Sequence, residues 1–180
     1  LEKGNAIASL ASGIDILFGN IAKENNELYN AAYYASQGCF LKLSKQAGKE
    51  LSFLSKNILK GSRASRYFSS PCLENIYYPE IQGKLKVGIS ISENLDDLEQ
   101  VASSLLNEKN VVIHLASDFY EIGKHKELSR KCKHISEKFE TSVLYINASG
   151  VLNEGKNVYA LEGCSLVFKN GKILDKAPFL

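Results

Sequence analysis

The chain has 180 residues and a formal net charge of +2, with 44% apolar and 23% charged residues. This size and composition predict one globular domain over residues 1–180 with a buried core. The small net charge gives no reason to expect nucleic acid or an anionic membrane as a partner, and no apolar run approaches the ~20 residues that a membrane span needs.

The first half of the sequence predicts a short helix followed by strands. Residues 1–12 predict a helix that ends at a glycine. The apolar run 14–21 predicts a buried strand, and residues 28–35 and 39–45 predict a hairpin. Residues 46–70 are rich in Lys, Ser and Gly and predict a long loop with one helical turn.

The second half predicts alternating strands and helices: strands over 85–91, 111–116 and 142–147, and helices over 94–107 and 124–139. Asn94 is the predicted N-cap of the first of these helices. Its predicted apolar stripe contains Leu95, Leu98, Val101, Ala102, Leu105 and Leu106. Asn170-Gly171 predicts a final hairpin between 164–169 and 172–174. This order is typical of an α/β fold with helices packed on a mixed sheet.

The cysteines and histidines predict core packing more readily than chemistry. Four scattered cysteines without a CxxC motif favour reduced, mostly buried thiols in a cytoplasmic protein. His114 alternates with apolar neighbours and predicts a hydrogen-bonded core histidine, whereas His125 and His134 lie among lysines and are expected to be exposed. No trio of His, Cys and carboxylate has metal-ligand spacing, so we expect no metal and no other cofactor.

Several segments follow one another in a familiar order: 28–32 (LYNAA) with a hairpin leading to Lys45, 66–68 (RYF), 86–94 (KVGISISEN), 116–124 (ASDFYEIGK), 145–147 (YIN), 161–165 (LEGCS) and 177–179 (APF). Together they resemble the carbon–nitrogen hydrolases of the nitrilase superfamily. Two of the later segments are most similar to the glutaminase domain of glutamine-dependent NAD synthetase. The resemblance covers nearly the whole chain, and the order of the segments carries it more than any single motif.

This resemblance implies an α-β-β-α sandwich with mixed sheets, from which we expect the N-terminal strand and helix to be absent. It implies hydrolysis of an amide or nitrile by a cysteine, a glutamate and a lysine. A thiol at a strand-to-helix corner lies beside free backbone N–H groups, which favour both the thiolate and the later oxyanion. The implied partners are a small amide substrate, further copies in a homodimer or higher oligomer, and an NAD synthetase domain or subunit.

The same resemblance places candidate site residues in this chain. Ser92 stands at the position of the nucleophile and Lys45 at that of the lysine that stabilises the oxyanion. Glu93 follows the corner and is a weaker catalytic candidate, because a contact with the helix N-terminus also explains it. In the glutaminase subgroup a serine helps to hold the amino-acid end of the substrate. Asp118 stands there and would repel a carboxylate, whereas Lys124 matches a nearby basic residue and could bind one.

The predicted site departs from the family pattern in several ways. Serine, which stands at the nucleophile position, is a poorer nucleophile than cysteine. A second glutamate of the family pattern falls near Ala64. The glutamate that acts as general base in the family belongs to a segment upstream of Leu1. Two functions therefore stay open. One is amide hydrolysis of the glutamine type with impaired activity, and the other is that of a pseudoenzyme which acts as a folding or interaction partner. A Cys→Ser variant made to trap substrate would account for Ser92 alone. The chain also contains no methionine, and two expectations for this stay open: that the sequence is a fragment, or that it lacks methionines which the natural chain carries.

Overall fold

The computed structural model describes residues 2–58, 60, 62, 64–81, 83–91, 95–106 and 108–179. The chain divides into two units, residues 1–81 and 82–180. The single domain expected over residues 1–180 stays a prediction, since one domain can contain more than one such unit. Among the described residues, no helix combines the length and the apolar character that crossing a bilayer requires.

The first unit is rich in short strands. Its described elements are helix α1 (Glu2–Leu10), strands β1 (Ile16–Glu24), β2 (Glu27–Ser36), β3 (Cys39–Phe40), β4 (Ser44–Gln46), β5 (Lys49–Leu51), β6 (Leu54–Ser55), β7 (Asn75–Ile76) and β8 (Glu80–Ile81), and a 3-10 turn at Ala64–Arg66. Strand β2 pairs antiparallel with β1, β3 and β6, and β4 lies between β5 and β7. Asn25 and Asn26 join β1 to β2 with φ values of 48° and 64°, as a tight hairpin turn requires.

The core of the first unit is built around β2, the longest described strand of that unit. Ala31 and Ala35 are fully buried, and these small side chains let other elements approach the strand closely. Tyr29 packs with Phe53 at a ring-centroid distance of 5.9 Å in the same buried cluster as Ala31. Ala35 belongs to a second cluster with Ala8 of α1. Helix α1 is therefore held by apolar contacts with the sheet.

The predictions for the first unit were only partly correct. The predicted helix, the strand over 14–21 and the first strand of the hairpin are present within a few residues of their expected bounds. The second predicted strand, 39–45, is instead broken into β3 and β4. The predicted loop 46–70 does contain a helical turn, but it also contains β5 and β6, which were not predicted. Strands of two or three residues are too short to show an alternating pattern.

The second unit contains a mixed sheet covered by helices. Its described elements are β9 (Leu85–Ser90), α2 (Asp96–Ser104), β10 (Asn110–Ala116), α3 (Lys124–Lys138), β11 (Ser142–Asn147), β12 (Ser149–Glu154), β13 (Asn157–Glu162), β14 (Leu166–Lys169) and β15 (Lys172–Lys176). Within this unit the sheet order is β15-β14-β11-β10-β9. Strands β9, β10 and β11 are parallel, whereas β14 and β15 run antiparallel to their neighbours. The predicted α/β class with mixed sheets is confirmed.

Helices α2 and α3 are crossover connections between the parallel strands. Crossovers of the same hand place both helices on one face of the sheet. In α2 the predicted inner residues Leu98 and Ala102 are fully buried, but Leu106 is 52% exposed. The helix ends at Ser104, so Leu106 lies beyond it and does not continue the stripe. Asn94, the predicted N-cap, lies outside the described residues.

The hairpin of β12 and β13 was not predicted. Its six paired positions run from Ser149–Glu162 to Glu154–Asn157, and Gly155 takes a φ of 68° at the turn. Val151 and Val158 are 66% and 68% exposed. Without one face buried against a core, the sequence shows no clear alternation of apolar and polar residues.

The cysteines fall into two exposed and two buried residues. Cys132 and Cys164 are buried as expected, but Cys39 and Cys72 are exposed, so the expectation of mostly buried thiols was wrong for that pair. Cys39 starts the two-residue strand β3, which is too short to place it on a buried face.

We expect a thiol-specific reagent at neutral pH to modify two cysteines rapidly in the folded protein and four after denaturation. Burial raises the pKa of Cys132 to about 12, so little reactive thiolate forms there. The count is measured by absorbance with an aromatic disulfide reagent. The double variant Cys39→Ser/Cys72→Ser serves as the control and should lose the fast phase. A third thiol that reacts at the fast rate would contradict the burial of Cys132 and Cys164.

Candidate functional site

Polar side chains gather at the carboxyl ends of β10 and β11. Asp118 follows the end of β10 by two residues, and Lys124 opens α3. The Lys124 Nζ lies 3.1 Å from Asp118 Oδ1, and the two side chains are 26% and 16% exposed. In open α/β sheets this edge is where ligands bind. The structure thus brings together the two residues predicted to face the substrate, but as an ion pair with each other.

Three further contacts hold Asp118 in place. The Tyr145 hydroxyl donates to Asp118 Oδ2 at 2.6 Å, and the Asp118 backbone N–H donates to Asn147 Oδ1 at 2.8 Å. The Asp118 carbonyl accepts from the Glu162 N–H at 3.0 Å. Burial and the bond to Asp118 raise the pKa of Tyr145, so this hydroxyl stays a donor. Asp118 is therefore fixed, and a substrate carboxylate would compete with it for Lys124.

Glu162 ends β13 beside this ion pair and is 1% exposed. Among the described residues, neither of its carboxylate oxygens has a hydrogen-bond partner. Burial raises the pKa of Glu162, an effect that Lys124 opposes and that Asp118 and Glu121 reinforce. A buried acid without a partner is disfavoured in its charged form. Burial therefore favours the protonated form of Glu162 in this cluster.

We expect the stability of the wild-type protein to fall, relative to a Glu162→Gln variant, as the pH rises above the ordinary glutamate pKa of 4.5. The folded-state pKa is raised, so the destabilisation is absent below the unfolded-state pKa and grows until the folded-state pKa is passed. The pH-dependent difference amounts to about 1.4 kcal/mol for every pH unit that separates the folded-state pKa from the unfolded-state pKa. Thermal unfolding of both proteins between pH 4 and 8 measures the difference. The exposed Glu50→Gln variant is the control, and parallel curves for wild type and Glu162→Gln would contradict the expectation.

His114 lies in the middle of the same sheet. It is 1% exposed, its Nδ1 lies 3.0 Å from Ser90 Oγ, and its ring stacks on Tyr145 at 5.7 Å between centroids. The prediction of a hydrogen-bonded core histidine is confirmed. Its contact with Tyr145 links the strand interior to the polar cluster at the sheet edge.

Cys164 and His125 form a second contact near this edge. The Cys164 Sγ lies 3.7 Å from His125 Nε2. Burial raises the pKa of Cys164, whereas burial and then Lys176 lower the pKa of His125. Both shifts favour the neutral forms, so the pair is a hydrogen bond between a thiol and an imidazole and not an activated thiolate. The expectation that His125 is exposed was wrong, because it packs edge-on against Phe179 at 5.0 Å between ring centroids.

Lys45 lies in β4 of the first unit. Its Nζ is 3.7 Å from Glu74 Oε2, and the two side chains are 35% and 44% exposed. An ion pair this open to water adds little stability, so the ammonium is available to another anion at small cost. Ala64, near which the resemblance would place a second glutamate, begins the 3-10 turn and offers no ionisable group.

The other two predicted site residues, Ser92 and Glu93, follow β9 in the sequence and lie outside the described residues. Their expected roles, like those of Lys45, Asp118 and Lys124, stay predictions.

Three residues of the cluster were given no site role from the sequence: Tyr145, Asn147 and Glu162. A signal was present for Asn147, because a polar side chain that ends a buried strand is typical of a ligand-binding sheet edge. Tyr145 and Glu162 gave no such signal. Their contact with residue 118 follows from the pairing of strands distant in sequence.

Comparisons with known proteins bear on the fold. No protein-family model and no curated protein matches the sequence. Among solved structures, the glutamine-dependent NAD+ synthetase of Acinetobacter baumannii is similar with a TM-score of 0.76 and 22% identity, covering 99% of this chain and 32% of that one. A mutant of the Nesterenkonia AN1 amidase from the nitrilase superfamily has a TM-score of 0.69 and 15% identity, covering 99% of this chain and 62% of that one.

A carbon–nitrogen hydrolase of Helicobacter pylori G27 is similar with a TM-score of 0.68 and 16% identity, covering 98% of this chain and 63% of that one. The chain thus spans about a third of the length of the synthetase and less than two thirds of the hydrolases. Likeness at this level of identity establishes the fold and leaves the chemistry open. The resemblance noted in the sequence is confirmed at that level: this chain has the fold of the nitrilase-superfamily carbon–nitrogen hydrolases.

Proposed function

We propose that this chain is a carbon–nitrogen hydrolase-like domain that hydrolyses an amide of the glutamine type, as the glutaminase part of an NAD synthetase would. The observation that carries the proposal is the cluster of Asp118, Lys124, Tyr145 and Glu162 at the carboxyl edge of the parallel strands. This edge is the ligand-binding side of open α/β sheets. The fold shared with amidases and NAD synthetases supports the same reading.

The proposed chemistry uses the residues placed by the resemblance. The hydroxyl of residue 92 would attack the amide carbon, and the C–N bond would break to release ammonia, which takes up the hydroxyl proton. Water would then hydrolyse the acyl-enzyme ester to the free acid and restore the hydroxyl. Lys45 would stabilise the developing oxyanion, and Glu93 is a weaker participant. In a mutant of the structurally similar amidase from Nesterenkonia sp. AN1, the acetamide moiety of fluoroacetamide is covalently attached to the active-site cysteine. The ammonia released here would pass to a synthetase domain or subunit, and we propose a cytoplasmic homodimer or higher oligomer as the working form.

A second function is favoured by the ion pair itself. Because Lys124 already contacts Asp118 at 3.1 Å, the one basic residue expected to bind the substrate carboxylate is engaged. Together with Ser92 at the nucleophile position, this favours a catalytically inactive domain that acts as a folding or interaction partner.

Ammonia release from glutamine and from simple aliphatic amides tests the proposal, measured for the protein and for Ser92→Cys. Release from glutamine by the protein, increased by Ser92→Cys and abolished by Ser92→Ala, would support hydrolysis. Activity in Ser92→Cys alone would indicate a recently lost nucleophile. A folded protein without activity in either form would support the pseudoenzyme.

The ion pair is tested separately by Asp118→Ser in the Ser92→Cys background. Serine is the residue expected here in the glutaminase subgroup, and it would release Lys124 to bind the substrate carboxylate. We expect a lower KM for glutamine with little change for a simple amide that lacks a carboxylate. An equal change for both substrates would contradict a role of Lys124 in carboxylate binding.

A further inference from the structure

A cleft of about 290 Å³ lies between α2 and α3 in the second unit, lined by Leu95, Glu99, Arg130, Lys131, His134 and Ile135. Leu95 and Ile135 are each 2% exposed and give the cleft an apolar floor. Its volume is close to the lower end of the range for small-molecule pockets, about 300 Å³. None of these residues belongs to the polar cluster around Asp118.

Two of the charged residues of the cleft are already paired. Glu99 Oε1 lies 2.7 Å from Lys138 Nζ, and this contact lowers the pKa of the Glu99 carboxyl. Lys131 Nζ lies 3.4 Å from Glu127 Oε1, one helical turn away. The acid on the α2 side of the cleft is thus neutralised by a lysine of α3.

Among the described residues, Arg130 and His134 are not held in ion pairs of this kind. They lie four residues apart on α3 and therefore on the same side of that helix. Both line the cleft, where His134 also interacts electrostatically with Glu99; within the part of the chain that the structure describes, neither side chain is in an ion pair or a hydrogen bond. A guanidinium has five donors in a planar fork suited to carboxylate and phosphate oxygens. None of the described residues occupies these donors, so they can receive an anion from solution.

The charge of the whole helix adds to this effect. Helix α3 has the sequence KHKELSRKCKHISEK, with six Lys or Arg residues and two Glu, although the net charge of the entire chain is only +2. Positive charge is therefore concentrated on this helix. A surface of one sign raises the local concentration of small ions of opposite charge.

We propose that this cleft is a binding site for a small organic anion, a carboxylate or phosphate carried on an apolar body. Arg130 takes the oxyanion with His134 as a second donor, and the apolar body lies on Leu95 and Ile135. None of the residues that line the cleft is a residue proposed for amide hydrolysis, and the inference does not depend on that function.

Isothermal titration of the protein with benzoate, phenyl phosphate, inorganic phosphate and the neutral benzyl alcohol tests the proposal. We expect benzoate or phenyl phosphate to bind more tightly than inorganic phosphate and benzyl alcohol. Arg130→Ala should weaken that binding about tenfold or more, because hydrogen bonds to charged groups are the stronger ones. Lys126→Ala is the matched control: it removes one exposed positive charge from the same helix outside the cleft, and should change the affinity by less than about twofold.

Several results would overturn the proposal. One is equal weakening by Arg130→Ala and Lys126→Ala, which would indicate unspecific attraction to the helix. Another is equal binding of benzyl alcohol, and a third is no binding of any probe at millimolar concentration. Loss of benzoate binding in Lys124→Gln but not in Arg130→Ala would place the anion at the Asp118 cluster. A dimer that Arg130→Glu dissociates would show that a second copy covers the cleft.

Discussion

Gly88→Ala is expected to lower the free energy of unfolding by up to about 3 kcal/mol, the upper end of the usual cost of overfilling a packed core. Gly88 lies in the middle of β9 and pairs with Val112 of β10. A methyl group at this position would lie 2.5 Å from Val101 Cγ1, 2.9 Å from Leu105 Cδ1 and 2.9 Å from Val112 Cγ1. Real Cβ atoms do not approach other atoms this closely, so α2 or the neighbouring strand must move.

Urea denaturation followed by circular dichroism measures this loss. Gly19→Ala in β1 is the matched control, since its added methyl group would meet only Ala31 O at 3.9 Å. The control should change stability by no more than about 0.5 kcal/mol, as is usual for substitutions away from packed features. An equally small effect of Gly88→Ala would show that α2 is not seated on β9 as described. Because α2 also forms one wall of the cleft that contains Arg130, a shift of α2 would change the shape of that cleft.

Asp118→Ala is expected to destabilise the protein by about 1–3 kcal/mol, the cost of leaving a buried hydrogen-bonding group unpaired. Tyr145 is 1% exposed, and its hydroxyl would lose its acceptor on Asp118. Lys124 would also lose its partner, but this side chain is 26% exposed and water can solvate it. The larger part of the loss should therefore come from the tyrosine.

Two further variants separate these contributions. Lys124→Gln removes the ion pair but leaves the bond from Tyr145 to Asp118, and should cost about 1 kcal/mol or less. Asp118→Asn keeps an acceptor for the tyrosine and should fall between wild type and Asp118→Ala. Equilibrium unfolding in urea gives all three values under one set of conditions. If Lys124→Gln were as destabilising as Asp118→Ala, the bond to Tyr145 would not be what holds Asp118 in place.

Much of the second unit could be predicted from local patterns. The stripe of α2 and the apolar runs of β9, β10 and β11 repeat with the periods of helix and strand, and these periods depend on neighbouring residues alone. Asn170 and Gly171 take φ values of 49° and 71°, as the tight turn predicted from this pair requires. Strands β5, β6, β12 and β13 could not be predicted in this way, because they are too short or too exposed to show a period.

The candidate site could be predicted only in part. Asp118 and Lys124 were singled out from a resemblance, and their opposite charges did not reveal that they would contact each other. Whether a lysine meets a substrate or a neighbouring carboxylate depends on the positions of their side-chain atoms to within about an ångström. Composition and spacing do not carry that information.

The strands β9, β10 and β11, the helices between them and the turn at Asn170-Gly171 follow from residues close together in the chain, since backbone sterics and the burial of one face act over a few residues. The meeting of residues 118, 145 and 162 follows from tertiary structure alone. These residues are separated by up to 44 positions, and the pairing of β10 with β11 and the Glu162–Asp118 backbone bond bring their side chains to one edge. Hydrogen bonds across such separations form only after the sheet has assembled, because its register decides which side chains face each other.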